Sequence, residues 1–206
     1  PHIVKSGLVI PLDKKGSRDD LNNYRGVCLL SMVSRILARI LATRIRVWAE
    51  LIKAIDDNQA GFRTGRSTAD ATQIIIRINE EVIRRHGEIE DNDAETDHPT
   101  AILLDITKTY PRVSRPLLWY ILSELKMGWK CLRALKGLHE ETHYKVKGRK
   151  EYSSEWTPAR GLREGCATSP VLFNIFHACA MRIANKERKE QADANNMICG
   201  IKWRWL

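Results

Sequence analysis

The sequence predicts an α+β fold, and three observations carry that prediction. Apolar runs of strand length stand at 7–12 and 101–104, and 142–148 alternates as a strand does. Three other stretches, 34–52, 71–82 and 117–125, repeat their apolar residues at helical phase. Composition agrees: 206 residues with 43% hydrophobic and 29% charged side chains suffice for one or two packed domains. No apolar run approaches the roughly 18 to 20 residues that a bilayer span needs, so no membrane partner is expected.

The elements follow in order. Gly7-Leu8-Val9-Ile10-Pro11-Leu12 is a short apolar strand, and Asp13 to Asn23 is polar and turn-rich. A long helix is expected from about Ser34 to Ile52, burying Ile36, Leu37, Ile40, Leu41, Trp48, Leu51 and Ile52. Arg35, Arg39 and Arg46 share its opposite face, read as solvated, while Arg44 falls amid the apolar stripe and should snorkel or find a carboxylate. Ser67-Thr68-Ala69-Asp70 has the spacing of a capping box, and Ala71, Ile74, Ile75, Ile78 and Val82 then form a buried stripe. Ala101-Ile102-Leu103-Leu104 reads as a buried strand ending at Asp105, which places a carboxylate at a sheet end. Ser114 and Pro116 open a helix through Leu125 to Gly128. The 142–148 strand has a hairpin partner in Tyr152 to Pro158, Gly161 to Gly165 is a glycine-bounded turn, and Ser169-Pro170 starts a helix reaching about Glu190.

Charge narrows the function. Lys and Arg number 34 against 25 Asp and Glu, a formal charge of +9. Six of those acids lie in 88–97, EIEDNDAETD, read as a solvated loop between two halves; the remainder carries 34 against 19, or +15, which suits a polyanionic partner. Five dispersed cysteines without a Cys-x-x-Cys argue against a zinc site or disulfide framework and for a reducing, intracellular compartment. The chain starts at Pro1 and shows no leader, so it is expected to be part of something longer.

Four stretches resemble one family in the right order. They are Asn22-Asn23-Tyr24-Arg25 with Leu29-Leu30-Ser31; Gln59-Ala60-Gly61-Phe62-Arg63-Thr64-Gly65-Arg66-Ser67-Thr68; Leu103-Leu104-Asp105 through Tyr110; and Gly161-Leu162-Arg163-Glu164-Gly165-Cys166 with Ser169-Pro170 and Leu172-Phe173-Asn174. Together they look like the reverse transcriptase domain of a non-LTR (LINE-like) retrotransposon. The resemblance implies a right-hand polymerase, with fingers over 1–98 and a partial palm over 99–206 that returns to fingers-side elements. It also implies metal-dependent nucleotidyl transfer from deoxynucleoside triphosphates to a DNA primer on an RNA template, and access to the nucleus.

Each site residue then has an implied role. The aspartate matching Asp105 bridges two Mg²⁺ ions in the family, and the position of Ile106 adds a backbone carbonyl. Carboxylates on a sheet end suit that task, because two ions must be held about 3.5–4 Å apart. Tyr110 matches the aromatic gate that excludes a 2′-hydroxyl. Arg25 matches the arginine that grips the triphosphate, assisted by Lys14 or Lys15; a guanidinium fork donates two parallel hydrogen bonds to phosphate oxygens. Gly61, Arg63, Gly65 and Arg66 match the template-side element, where glycines admit a phosphate backbone and a helix N-terminus adds positive charge. Gly165 leaves room for the nucleotide. Two positions depart from the family: Pro111, where an acid is common, and Glu164, where most members carry glutamine. An ionised Glu164 repels phosphate, which would lower nucleotide affinity unless Arg163 or Arg160 pairs with it.

The family's second metal-binding element, an aromatic-x-Asp-Asp hairpin after the Ser169 helix, is not found. Asp19-Asp20 and Asp56-Asp57 both precede Asp105, and beyond 177 only Asp193 remains. One carboxylate does not hold two Mg²⁺ ions, so the 206 residues are expected to be truncated before the hairpin and inactive alone. Ile198 to Leu206 is read as the start of the next palm element. The competing expectation is a noncatalytic RNA-binding remnant of a mobile element that keeps Arg63, Arg66 and the basic helices.

Overall fold

The computed structural model describes residues 2–87, 105–148 and 151–194. Its contacts divide the chain into two compact units, Pro1–Ile55 with Lys108–Asn185 and Asp56–Thr107 with Lys186–Leu206. The expected strand at 101–104, the acidic run 88–97 and the segment 198–206 lie outside the described residues.

In the first unit, a short helix α1 (His2–Lys5) leads into β1 (Ser6–Asp13), and β2 (Tyr24–Leu30) returns antiparallel with Val9 opposite Cys28 and Leu12 opposite Arg25. The turn-rich 13–23 stretch is therefore a hairpin loop. Its tip is held by Asn23 Nδ2 on the Ser17 carbonyl (2.8 Å) and Tyr24 Oη on the Arg18 carbonyl (2.8 Å). Much later in the chain, β3 (His143–Val146) adds parallel to the other edge of β1, giving the order β2-β1-β3. The expected hairpin partner of β3 is present as bridges Tyr144 to Trp156 and Lys147 to Tyr152.

The helix α2 (Met32–Leu51) begins where Ser31 Oγ accepts the Ser34 N–H at 3.2 Å, which satisfies one orphan donor of the first turn. Its buried face overlaps the expected one only at Leu41 and the half-buried Trp48. Ser34, Ala38, Leu41, Ala42, Ile45 and Ala49 face the core, whereas Ile36, Ile40 and Leu51 are exposed. Both stripes are helically periodic; the small residues win because they let neighbouring helices approach closely. The arginines move with the face: Arg44 is exposed and Arg46 half-buried.

Onto this face pack α5 (Arg115–Glu124), α6 (Trp129–His139) and α7 (Ser169–Ala194), while α4 (Thr109–Arg112) is a single turn containing Pro111. The helix expected to run through to Gly128 stops at Glu124, because Lys126 turns left-handed at φ 60°. A second helix, α6, starts directly after Gly128 and was not expected. Leu118, Leu122, Leu135 and Leu172 are fully buried in the shared core, each worth about 1.5–3 kcal/mol relative to exposure.

In the second unit, α3 (Thr68–Gly87) has the expected capping box: Asp70 Oδ2 accepts the Ser67 N–H at 2.6 Å, and Ser67 Oγ accepts the Asp70 N–H at 3.4 Å. Its apolar stripe is not buried as expected. Ala71, Ile74 and Val82 are half-buried, while Ile75 and Ile78 are exposed, since no described element packs over them.

Candidate polymerase site

The site in the first unit is built around the glycine turn. Gly161 takes φ +95°, and a Cβ there would lie 2.7 Å from Pro111 Cα. That approach lets the Gly161 N–H reach the Val113 carbonyl (3.0 Å) and the Leu162 N–H reach the Tyr110 carbonyl (2.9 Å). Gly165 takes φ +73°, and its missing Cβ would stand 2.6 Å from the Cys28 carbonyl oxygen. Two glycines thus pin one turn against both the Tyr110 helix and the middle of β2. Three stretches more than a hundred residues apart at their extremes meet there. The space expected at Gly165 is filled on one side by β2 itself.

Arg163 is the keystone of this turn, and it does not pair with Glu164. Only 3% exposed, its guanidinium donates to the Val4 carbonyl (2.6 Å), the Ser6 carbonyl (2.7 Å) and Ser34 Oγ (3.1 Å), tying the turn to α1, β1 and α2. Its backbone N–H donates to His139 Nδ1 at 3.3 Å. With Nδ1 accepting, the ring proton sits on Nε2, which meets Thr168 Oγ1 at 3.0 Å; Thr168 in turn lies 3.0 Å from Cys166 Sγ. Burial, then Arg163 and Arg115, hold His139 down to about 3, so it is neutral at physiological pH. Arg115 donates to the His139 and Pro158 carbonyls. None of Arg115, His139 or Thr168 was anticipated; buried polar residues outside any periodic pattern leave no signal in a single sequence. Burial also pushes the Cys28 thiol up to about 11, which makes it a packing group and not a nucleophile.

Beside the turn runs a groove of about 780 Å³, lined by Arg35, Ile36, Arg39 and Ile40 of α2, by Tyr110, and by Gly165, Ser169 and Pro170. Arg35 and Arg39, expected to be merely solvated, are exposed along its wall. The Tyr110 ring is half-buried and meets Phe173 edge-on at 5.9 Å. Its hydroxyl is raised by burial and by Glu164, so it stays protonated. Glu164, half-buried, also borders a separate cavity of about 440 Å³ behind the turn, with Cys28, His139 and Trp156. Arg25 is exposed on β2, two positions past the hairpin loop that carries exposed Lys14 and Lys15.

The second unit carries the remaining expected residues. Asp105 is exposed, as is Ile106 at 47%. Arg66 and Gly65 are exposed just before α3, and Gly61 is half-buried. Arg63 differs in orientation from the expectation: its side chain is 7% exposed and donates to the Asp56 carbonyl (2.7 Å), with Asp57 Oδ1 at 3.7 Å. It braces its own loop. Carboxylate and carbonyl oxygens are the donors Mg²⁺ prefers, yet among the described residues no three His, Cys, Asp or Glu side chains cluster to hold a metal. The donor type fits and the number falls short.

A protein-family model described as reverse transcriptase (RNA-dependent DNA polymerase) matches residues 12–199. The chain belongs to the reverse transcriptase family. It is 27% identical over 179 residues to the RNA-directed DNA polymerase from mobile element jockey of Drosophila melanogaster, covering 85% of this chain and 18% of that protein. It is 24% identical over 183 residues to the probable RNA-directed DNA polymerase from transposon BS of the same species, covering 86% and 18%. A third relative is the Pol polyprotein from the type-2 retrotransposable element R2DM, at 23%. These matches bear out the resemblance to a LINE-like reverse transcriptase. The chain thus spans about a fifth of the length of the curated relatives it matches. Among the described residues, no helix of this reverse transcriptase domain is long and apolar enough to cross a membrane.

Proposed function

We propose that these residues are the fingers (1–98) and a partial palm (99–206) of an RNA-directed DNA polymerase that extends a DNA primer on an RNA template. The observation that carries this reading is the convergence of β2 and Tyr110 on the Gly161–Gly165 turn, where Tyr110 and Gly165 line a groove walled by Arg35 and Arg39. The joining of β3 to the β1–β2 hairpin supports a palm segment that returns to the fingers.

Arg25 and Lys15 hold the triphosphate from the hairpin, and Tyr110 together with Gly165 shapes the pocket for a deoxynucleotide sugar and base. Glu164 stands where its charge weakens nucleotide binding, since Arg163 is committed elsewhere. Gly61, Gly65 and Arg66 meet the template backbone in a sequence-independent way, with Arg63 holding their loop in shape. Asp105, with the Ile106 carbonyl, would hold Mg²⁺, which when bound would acidify the primer hydroxyl and offset the triphosphate charge. One aspartate does not hold two such ions, so the 206 residues bind nucleotide without extending a primer.

The test is deoxythymidine triphosphate binding to the 206-residue chain on a poly(rA)·oligo(dT) duplex, with and without Mg²⁺. Asp105→Asn should remove the Mg²⁺-dependent part, and Arg25→Ala should weaken the rest. Binding of RNA with no nucleotide or Mg²⁺ dependence would replace this reading by that of a noncatalytic RNA-binding remnant.

A further inference from the structure

The solvent face of α6 carries a basic and aromatic cluster to which the polymerase reading gives no task. Trp129, its first residue, is 62% exposed, an unusual position for the largest side chain. The Arg133 guanidinium lies 4.8 Å from its ring centroid and Lys130 Nζ 5.8 Å away. Within α6, Trp129, Arg133 and Lys136 recur at intervals of four and three residues, so they form one strip with Lys130 at its side, and Lys126 is exposed in the turn just before the helix. From Leu125 to His139 there are four lysines and arginines and no acid. His139 is buried and neutral and adds nothing to that charge. Gly137, one turn beyond Arg133, is exposed, and a Cβ there would meet nothing within 4 Å. Among the described residues no neighbour requires a glycine there, and it weakens a helix; its effect is to leave bare backbone beside the strip.

We propose that this face binds single-stranded nucleic acid, stacking a base on Trp129 and placing flanking phosphates on Lys126, Lys130 and Arg133. The combination decides the partner. An acidic protein would satisfy the cations and leave the indole without a use, whereas every base presents a π-face and every linkage a negative charge. Arg133 over the ring concentrates positive charge where a phosphate next to the stacked base would sit. None of these residues lines the groove beside Tyr110, so the face is a second contact that stands whether or not that groove takes template.

The experiment uses the 206-residue chain and a fluorescein-labelled oligo(dT) 12-mer. Trp129→Ala should weaken binding about 5-fold or more, while Trp129→Phe retains most of it. Lys130→Ala with Arg133→Ala should lower the slope of log affinity against log salt by about 1.4. Far-UV circular dichroism confirms folding, which substitutions at exposed positions leave intact. Ultraviolet cross-linking to the unlabelled 12-mer should map an adduct to 127–130. The inference is overturned if Trp129→Ala binds as well as the parent chain, if adducts form only elsewhere, or if polyglutamate displaces the oligonucleotide as effectively as poly(dT) does.

Discussion

Replacing Gly165 by alanine isolates the contact that seats the glycine turn on β2. A Cβ at Gly165 would stand 2.6 Å from the Cys28 carbonyl, 0.8 Å inside the 3.4 Å at which ordinary contact begins. Backbone bears this clash, so either β2 or the turn must shift, at about 1–3 kcal/mol by analogy with overpacked cores. The left-handed φ of +73° adds about 1–2 kcal/mol for a residue with a Cβ. Gly65 supplies an internal control. It has the same φ of +73°, but a Cβ there would meet nothing within 4 Å. Gly165→Ala should therefore cost about 2–5 kcal/mol and Gly65→Ala about 1–2 kcal/mol. Urea unfolding followed by circular dichroism, with amide exchange resolving the two units, measures both. Equal losses at the two positions would show that the Cys28 approach carries no energetic weight.

Other outcomes follow from the same network. Arg163→Met removes the guanidinium from the half-buried Val4 and Ser6 carbonyls and from buried Ser34 Oγ and should cost about 3–5 kcal/mol, read from the urea midpoint. His139 is neutral in the fold at pH values where the unfolded chain binds a proton; stability should therefore fall by about 1.4 kcal/mol per pH unit from 6.5 down toward 3. His139→Gln should remove that slope in a pH series of melts. Leu122→Ala, at a fully buried site, should cost about 2–5 kcal/mol by cavity formation, seen as a lower melting temperature. Arg63→Ala should loosen the 56–66 loop, seen as faster amide exchange there, because its guanidinium braces the Asp56 carbonyl.

Local chemistry was legible where it is local. The capping box at Ser67, the β3 hairpin and the start of α7 at Ser169 follow from residues within a few positions of each other. The glycine turn was visible as a turn, but its partners were not, since Pro111 and Cys28 approach it from far along the chain. The buried face of α2 was misread because Ala38, Ala42 and Ala49 carry little hydrophobicity, and their value lies in close packing. The α6 helix was legible but overlooked: Leu132, Leu135 and Leu138 recur at helical phase among its cations, while Gly128 was taken only as an end. Arg163 shows the limit most plainly: an arginine in a polar-looking turn gave no hint that its charge would be buried among backbone carbonyls.

The parallel seam between β1 and β3 has a bearing on how the chain emerges from the ribosome. Ser6 waits for His143 before that flank of the first ribbon is closed. At about 5–20 residues per second, this delay lasts about 7–27 s, during which the nascent ribbon offers its bare amides and carbonyls to any passing polypeptide. Proline at position 11 lacks an amide to donate, so the nascent ribbon carries a built-in gap in that template for mispairing.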